Sequence, residues 1–331
     1  MKKTTKTIIK GAIVILSLIF VISAIALAIN IWDENNGKYE TSESGADTVI
    51  EHNGKKYDLR SDIETFLVIG LDKFSEDINN TSYENDQMAD FVTLLVVDNQ
   101  NKKWEAIQFN RDTIVDCKDL GVAGQVISTE KKQLAYAHTQ GNGKEVSCRN
   151  VADSVSNLLY GVNVSHYLSL TMSAVEKYND MVGGVELEIL DDFTGVNDEL
   201  VKGTVMTLNG KQALSYVRER KGMEDSSNAS RMNRQRQYLK ALYEKSVKCA
   251  NENENFIKES AASVAEDAVS NLSSGKLETL LGKLSEYEFV ELHQLEGENK
   301  VGEKFMEFYP DENALKELVI SLFYKEVNEG K

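Results

Sequence analysis

The chain has 331 residues, with 53 acidic side chains against 37 lysines and arginines and a formal net charge of −16. That balance excludes the broad basic face a nucleic-acid partner requires. Three cysteines are too few for a disulfide framework or a zinc site, and a single proline, Pro310, excludes a proline-rich stalk.

The N-terminus reads as a membrane anchor. Residues 1–10, "MKKTTKTIIK", carry four lysines and no acid, and the nineteen residues from Gly11 to Ile29 carry no charge. At about 1.5 Å per residue, a helix of that length nearly spans the hydrocarbon core. Trp32 supplies an interfacial ring, so 11–32 is predicted as one transmembrane helix with 1–10 cytoplasmic and the remainder outside. Ala26–Ala28 resembles a processing site, and a cleaved signal peptide is the alternative. Both readings place the main domain outside the cytoplasm. Residues 33–62 read as a polar extracellular linker with room for a short hairpin, and 63–326 as the folded domain.

The domain opens on three strand-like runs. "ETFLVIGLD" (Glu64–Asp72) and "DFVTLLVVD" (Asp90–Asp98) are short apolar runs bounded by acids, and "WEAIQFNRD" (Trp104–Asp112) alternates. The cluster "NQNKK" makes a hairpin between the second and third. The connection before the second is long and lacks apolar periodicity, as functional loops do. Strands running up, down and up bring Asp72, Asp90, Arg111 and Asp112 to one edge of the sheet.

Helical spacing follows at Val151, Val155, Leu158 and Leu159, with Gly161 as the stop. "SAVEKYNDMVGGVELEIL" reads as helix, double-glycine turn and strand. The stretch Tyr216–Arg220 is predicted as a strand, which would put Arg218 and Arg220 on one face. "RMNRQRQYLKALYEK" is a helix with Arg231, Arg234 and Gln235 at i, i+3 and i+4. Alternating strands and helices predict an α/β domain, layered α-β-α around a central mixed sheet.

Eight arginines occur in the whole chain and five of them fall between Arg218 and Arg236. Guanidinium grips phosphate bidentately at any working pH, so this window predicts a clamp for a multiply charged anion. Two carboxylates at one edge suit magnesium, which takes one or two acids plus substrate phosphate oxygens. No Walker-type loop and no Gly-x-Ser-x-Gly elbow occurs, and the four histidines have no metal-ligand spacing. Cys117 and Cys148 either pair in an oxidising exterior, leaving Cys249 free, or all three are unpaired core residues.

The order "FLVIGLD", "DFVTLLVVD", "NRDTIV", "VGGVELEI", "LNGKQALSYVRER" and "SRMNRQRQYLKAL" resembles the LytR-CpsA-Psr family from Ile63 to Tyr324. The resemblance implies a magnesium-dependent phosphotransferase of a Gram-positive-type envelope, single-pass in the cell membrane. Such enzymes move a glycopolymer, wall teichoic acid or capsule, from an undecaprenyl pyrophosphate carrier to peptidoglycan, with pyrophosphate hydrolysis as a side activity. By the family pattern Asp72 and Asp90 hold magnesium, while Arg111, Arg218, Arg220, Arg231, Arg234 and Gln235 hold phosphates. Asp90 or Asp112 takes the acceptor proton, or Asp112 only orients Arg111. The competing class is a non-catalytic carrier-lipid binder or transcription attenuator. Ten cytoplasmic residues leave no room for a DNA-binding module. The chain departs from the pattern at Met88, where the family has arginine, at Asn110, where it has proline, and in the longer "GMEDSSNAS".

Overall fold

A computed structural model of the chain describes residues 46–73, 85–121, 124–253, 263–272 and 286–327, with single positions between 255 and 284. Among the described residues no helix is long and apolar enough to cross a membrane; the apolar run Gly11–Ile29 lies outside them. Most of the long connection before the second strand, residues 74–84, also lies outside them.

The chain divides into two compact units. The first comprises Gly37–Leu170, Val269–Leu272 and Leu292–Lys331. It begins with strands β1 (Val49–His52) and β2 (Lys55–Leu59), joined at Asn53-Gly54 with φ of 51° and 76°. Positive φ at both turn positions matches the right-handed twist of the flanking strands, and Asn-Gly adopts it at little cost. Next come β3 (Ile63–Leu71), β4 (Ala89–Asp98) and β5 (Lys103–Phe109). They pair antiparallel in sequence order, as the alternating direction of the three runs predicts.

β5 stops because Asn110 turns the chain. Its side-chain oxygen accepts the Asp112 N–H at 2.9 Å and its carbonyl accepts the Thr113 N–H at 3.0 Å. A side-chain-closed turn thus stands where the family pattern has proline. The hairpin of β6 (Ile114–Leu120) and β7 (Val126–Gln133) follows, then a 3-10 turn over Leu134–Thr139 and helix α1 (Glu145–Leu158). Gly161, at φ 81°, accommodates the left-handed stop. Strand β8 (His166–Leu170) then pairs parallel to β3, which makes the sheet mixed.

The second unit is built on Thr171–Ala268 and Ser273–Glu291. It contains α2 (Met172–Met181), β9 (Val185–Glu188), β10 (Val205–Leu208), α3 (Gly210–Arg218) and α4 (Asn228–Glu252). The double glycine between α2 and β9 has φ of 78° and 86°, as a reversing turn requires. The remaining elements are β11 (Ala268–Ser270), β12 (Glu288–Gln294), β13 (Gly297–Val301), β14 (Met306–Pro310), α5 (Glu312–Phe323) and β15 (Tyr324–Glu326). The six-stranded central sheet runs β11-β8-β3-β4-β5-β12, and β15 joins β2 in a separate three-stranded sheet.

The core of the first unit lies between β3–β5 and the helices α1 and α5. Leu67, Ile69, Leu94 and Ile107 from the sheet meet Val151 and Val155 of α1 and Val319 and Phe323 of α5. Burying an aliphatic side chain stabilises by about 1.5–3 kcal/mol, so this layer fixes the sheet edge that carries the acids.

One sequence expectation is corrected. Tyr216–Arg220 is not a strand: α3 runs through Arg218. Asn209 caps it with an oxygen on the Gln212 N–H, and Gln212 returns a bond to the Asn209 N–H. That reciprocal cap nucleates a helix whose inner face buries Ala213, Leu214 and Tyr216. The alternation Tyr-Val-Arg-Glu-Arg is outweighed. Of the alternatives left open for the cysteines, the structure has all three unpaired, with Cys117 and Cys148 buried. Burial pushes the Cys117 thiol up to about 11 and the Cys148 thiol up to about 12, so both are neutral core residues.

Candidate active site

The acidic sheet edge is a network centred on Arg111. The Arg111 Nη1 donates to the Asp90 carboxylate, and Nη2 lies 3.1 Å from the sulfur of Met88. Its Nε faces Asp112 Oδ1 at 3.6 Å, an ion pair too long for a hydrogen bond. All three side chains are mostly shielded from water. Asp72 reaches across the edge as well: its Oδ1 accepts the Met88 N–H at 2.7 Å, and its own N–H bonds the Met88 carbonyl at 3.1 Å. Desolvation holds the Asp72 carboxyl above its ordinary range, with the neighbouring Asp90 charge acting in the same direction; the Met88 N–H opposes both. The predicted meeting of Asp72, Asp90, Arg111 and Asp112 is therefore what the strand geometry produces.

Behind this edge sits a polar support. Asn85 donates to the carbonyls of His138 at 3.0 Å and Thr139 at 3.1 Å and to Ser147 Oγ at 3.2 Å. His138 is fully buried, with Nδ1 3.0 Å from the Gln87 carbonyl and Nε2 3.8 Å from Cys148 Sγ. Burial pushes its pKa down to about 4, so the imidazole is neutral and is not paired with a thiolate. Gln133 donates Nε2 to Asp112 Oδ1 at 2.9 Å and to the Met306 carbonyl at 2.6 Å. Single-sequence reasoning missed Asn85, Gln133 and His138, because a polar residue on a turn or strand end carries no signal of a partner tens of positions away.

In the second unit the arginines divide by environment. Arg234 is 1 % exposed and committed to the protein. Nε donates to the Tyr216 carbonyl at 2.8 Å, Nη1 to Asp191 at 2.6 Å, and Nη2 to the Glu219 carbonyl. Its guanidinium also stacks 5.2 Å over the Phe193 ring. Arg231 is buried, with Nη2 on Asn228 Oδ1 at 2.6 Å, and Gln235 donates to the Val217 carbonyl at 3.2 Å. Arg218 ends α3 and is 45 % exposed, 4.0 Å from Glu219. Arg220 follows in the connection to α4 and is half-buried. Arg234 therefore fastens the connection at Tyr216 and Glu219 that carries Arg218 and Arg220.

Among the described residues no group of three or more histidine, cysteine or acidic side chains is placed to hold a metal. Asp72 and Asp90 offer two hard oxygen donors at one edge, and burial raises the proton affinity of Asp72 even with Arg111 and Lys73 nearby. Such a pair fits magnesium completed by substrate oxygens.

Comparisons with known proteins agree with this architecture. The model of the LytR_cpsA_psr family matches residues 28–322. A polyisoprenyl-teichoic acid–peptidoglycan teichoic acid transferase TagU from Bacillus licheniformis is 26% identical over 254 residues, 74% of this chain and 72% of that protein. The TagU of Bacillus mycoides is 26% identical over 186 residues, 56% of this chain and about half, 53%, of its own length. The solved structure of gbs0355 from Streptococcus agalactiae superposes with a TM-score of 0.61 at 21% identity, covering 79% of this chain and 88% of that one. With the family model spanning nearly the whole chain, the protein belongs to the LytR_cpsA_psr family.

Proposed function

We propose that this protein is a membrane-anchored, extracytoplasmic transferase that moves a polyisoprenyl-pyrophosphate-linked glycopolymer onto peptidoglycan. The observation that carries the reading is the convergence of Asp72, Asp90, Arg111 and Asp112 at one sheet edge, a pattern of acids and guanidinium suited to phosphate chemistry. The relatives named as teichoic acid transferases supply the polymer class, and the lysine-led apolar segment Gly11–Ile29 supplies the anchor.

Asp72 and Asp90 would hold magnesium, which supplies charge neutralisation on the pyrophosphate oxygens. Arg111 changes partners in this reading: a phosphate oxygen takes over from Asp90 at Nη1, while Asp112, held by Gln133, keeps the guanidinium in place. The acceptor hydroxyl oxygen bonds to the polymer-side phosphorus, the phosphoanhydride bond to the carrier breaks, and polyisoprenyl phosphate leaves. Asp90, more exposed than Asp112, receives the hydroxyl proton. Arg218, Arg220, Arg231 and Gln235 are assigned to phosphate by their family pattern, and Arg234 to positioning Arg218 and Arg220.

The test incubates the full chain in detergent with polyisoprenyl-pyrophosphate-linked polymer, magnesium and peptidoglycan. Polymer should become wall-linked and polyisoprenyl phosphate should accumulate, both lost with a chelator. Asp90→Ala should lose this turnover with its melting temperature retained. Transfer undiminished in Asp90→Ala removes that residue, and carrier binding without any turnover in the parent leaves a binding protein.

A further inference from the structure

Beside Arg111 and Asp112 the first unit presents a hairpin whose features the phosphate chemistry does not use. β13 and β14 pair from Gly297↔Pro310 to Val301↔Met306. The turn closes with the Gly302 N–H on the Phe305 carbonyl at 2.9 Å. Its tip turns apolar groups to solvent: Val301 is 85 %, Phe305 55 % and Met306 43 % exposed. The Phe305 ring lies 6.1 Å from that of the half-buried Tyr136, the planes tilted by 46°.

This surface is wired to the reactive edge. The Phe308 N–H donates to the Asp112 carbonyl at 2.8 Å, and Thr113 bridges to Phe308. Gln133 Nε2 joins the Met306 carbonyl at 2.6 Å to Asp112 Oδ1 at 2.9 Å. On the other side of the pair, the Ala135 N–H donates to the Arg111 carbonyl at 3.0 Å, one residue before Tyr136. Both aromatic residues therefore hang from backbone bonded directly to the Arg111-Asp112 turn.

The chemistry of the patch selects its occupant. Between Gly297 and Pro310 the hairpin carries two lysines, Lys300 and Lys304, against three glutamates, Glu298, Glu303 and Glu307. Lys300 sits 4.9 Å over the Tyr309 ring, and Tyr309 donates to Glu307 at 2.7 Å. Five charged groups interleaved with the apolar ones oppose burial in hydrocarbon, where a charge loses its hydration. The near balance of signs gives no pull on a polyanion. A surface that alternates flat apolar rings with hydrogen-bonding groups matches a sugar polymer, whose ring faces are apolar and whose rims are polar.

We propose that Tyr136 and Phe305, with the β13–β14 hairpin, form the docking surface for the acceptor, a glycan strand of N-acetylated amino sugars, and deliver it to the Arg111-Asp112 edge. This rests on the transferase reading for the identity of the acceptor, while the surface itself is tested by binding alone.

The probe is soluble peptidoglycan glycan strands stripped of peptide, titrated into the full chain in detergent by calorimetry. Phe305→Ala and Tyr136→Ala should each weaken strand binding by about tenfold, as an anchoring aromatic at a contact does. Tyr136→Phe keeps the ring and should restore it. Ile127→Ala, at a still more exposed apolar residue on the β6–β7 hairpin, should change nothing. Melting temperature and binding of polyisoprenyl pyrophosphate should stay at the parent value in all four. Strand binding unaffected by Phe305→Ala, or absent in the parent, overturns the docking surface and leaves donor binding to speak for the transferase. Glycan binding lost in the variants of a chain that shows no transfer supports the docking surface and sinks the transferase reading instead. If Phe305→Ala instead loses binding to phosphatidylglycerol vesicles with glycan affinity intact, the hairpin is a membrane contact and the proposal fails.

Discussion

Arg111 and Arg234 are both largely shielded from water and both ion-paired, yet the two regions around them are built for opposite ends. Among the described residues the Arg111 guanidinium is held by side chains: two carboxylates and a thioether. Arg234 is bonded to two backbone carbonyls and a carboxylate and stacked on a ring. Side-chain partners rotate away when a stronger anion arrives, whereas carbonyls fixed by a helix end do not. A guanidinium held by carboxylates is available to a ligand; one held by carbonyls holds the fold.

The largest expected effect tests the structural side of this contrast. Arg234→Ala removes the fork and leaves two carbonyls and Asp191 without their donor, so thermal or urea unfolding should show a loss of about 3–5 kcal/mol. Arg234→Lys should recover less than half of it, because an ammonium does not reproduce three directed bonds. A variant as stable as the parent would place Arg234 among the ligand-facing arginines instead.

The next effect concerns the support behind the acidic edge. His138 is neutral in the fold, with its pKa pushed from 6.5 down to about 4. The unfolded chain takes up the proton first, so the native state is unaffected above pH 6.5 and loses stability as pH falls from 6.5 towards 4. At about 1.4 kcal/mol per pH unit this is a loss of about 3 kcal/mol. Melting temperatures measured across that window should fall more steeply for the parent than for His138→Asn, and parallel curves would rule the effect out.

A smaller effect separates the arginines on the connection, Arg218 and Arg220, from the buried Arg234. Arg218→Lys and Arg220→Lys should each weaken polyisoprenyl pyrophosphate binding by about tenfold with no change in melting temperature. Lys221→Ala, exposed on the same connection, is the matched control and should bind like the parent. Equal binding by all three would make the arginine window a solvated surface.

The smallest effect is a gain. The raised Asp72 pKa means that its ionised form is disfavoured in the fold. Asp72→Asn still accepts the Met88 N–H and should melt slightly higher at neutral pH, the difference closing as pH falls through the raised carboxyl pKa and gone below the ordinary carboxylate value. Catalytic loss accompanying that gain would mark Asp72 as retained for chemistry at a cost in stability. No gain would mean that Arg111 and Lys73 already compensate its charge.

What could be read from the sequence followed from local rules. Three apolar runs with a short hairpin turn leave one antiparallel arrangement, and that arrangement brings Asp72, Asp90 and Arg111 together. The helix carrying Arg231, Arg234 and Gln235 was equally plain from its spacing. Tyr216–Arg220 misled because its five residues alternate like a strand, while the capping pair that decides the matter, Asn209 and Gln212, lies upstream. The burial of Arg234 was unreadable for another reason: its partners Asp191, Tyr216 and Glu219 are 43, 18 and 15 positions away. Gln133, bridging Asp112 to a carbonyl 173 residues further on, belongs to the same class.

The three-stranded sheet β1-β2-β15 has a consequence for the order of folding. β2 finds its first neighbour across a two-residue turn and its second only in Tyr324–Glu326, with the Tyr324 hydroxyl closing on the Asp47 carbonyl at 3.0 Å. During synthesis this hairpin must wait, one edge unpaired, until residues 324–326 have been made. Loop closure of that span is slow, and an open strand edge is a template for another chain. A chain cut after Phe323 would keep the acidic edge and the arginines, yet carry that edge permanently, so its failing would be self-association rather than lost chemistry.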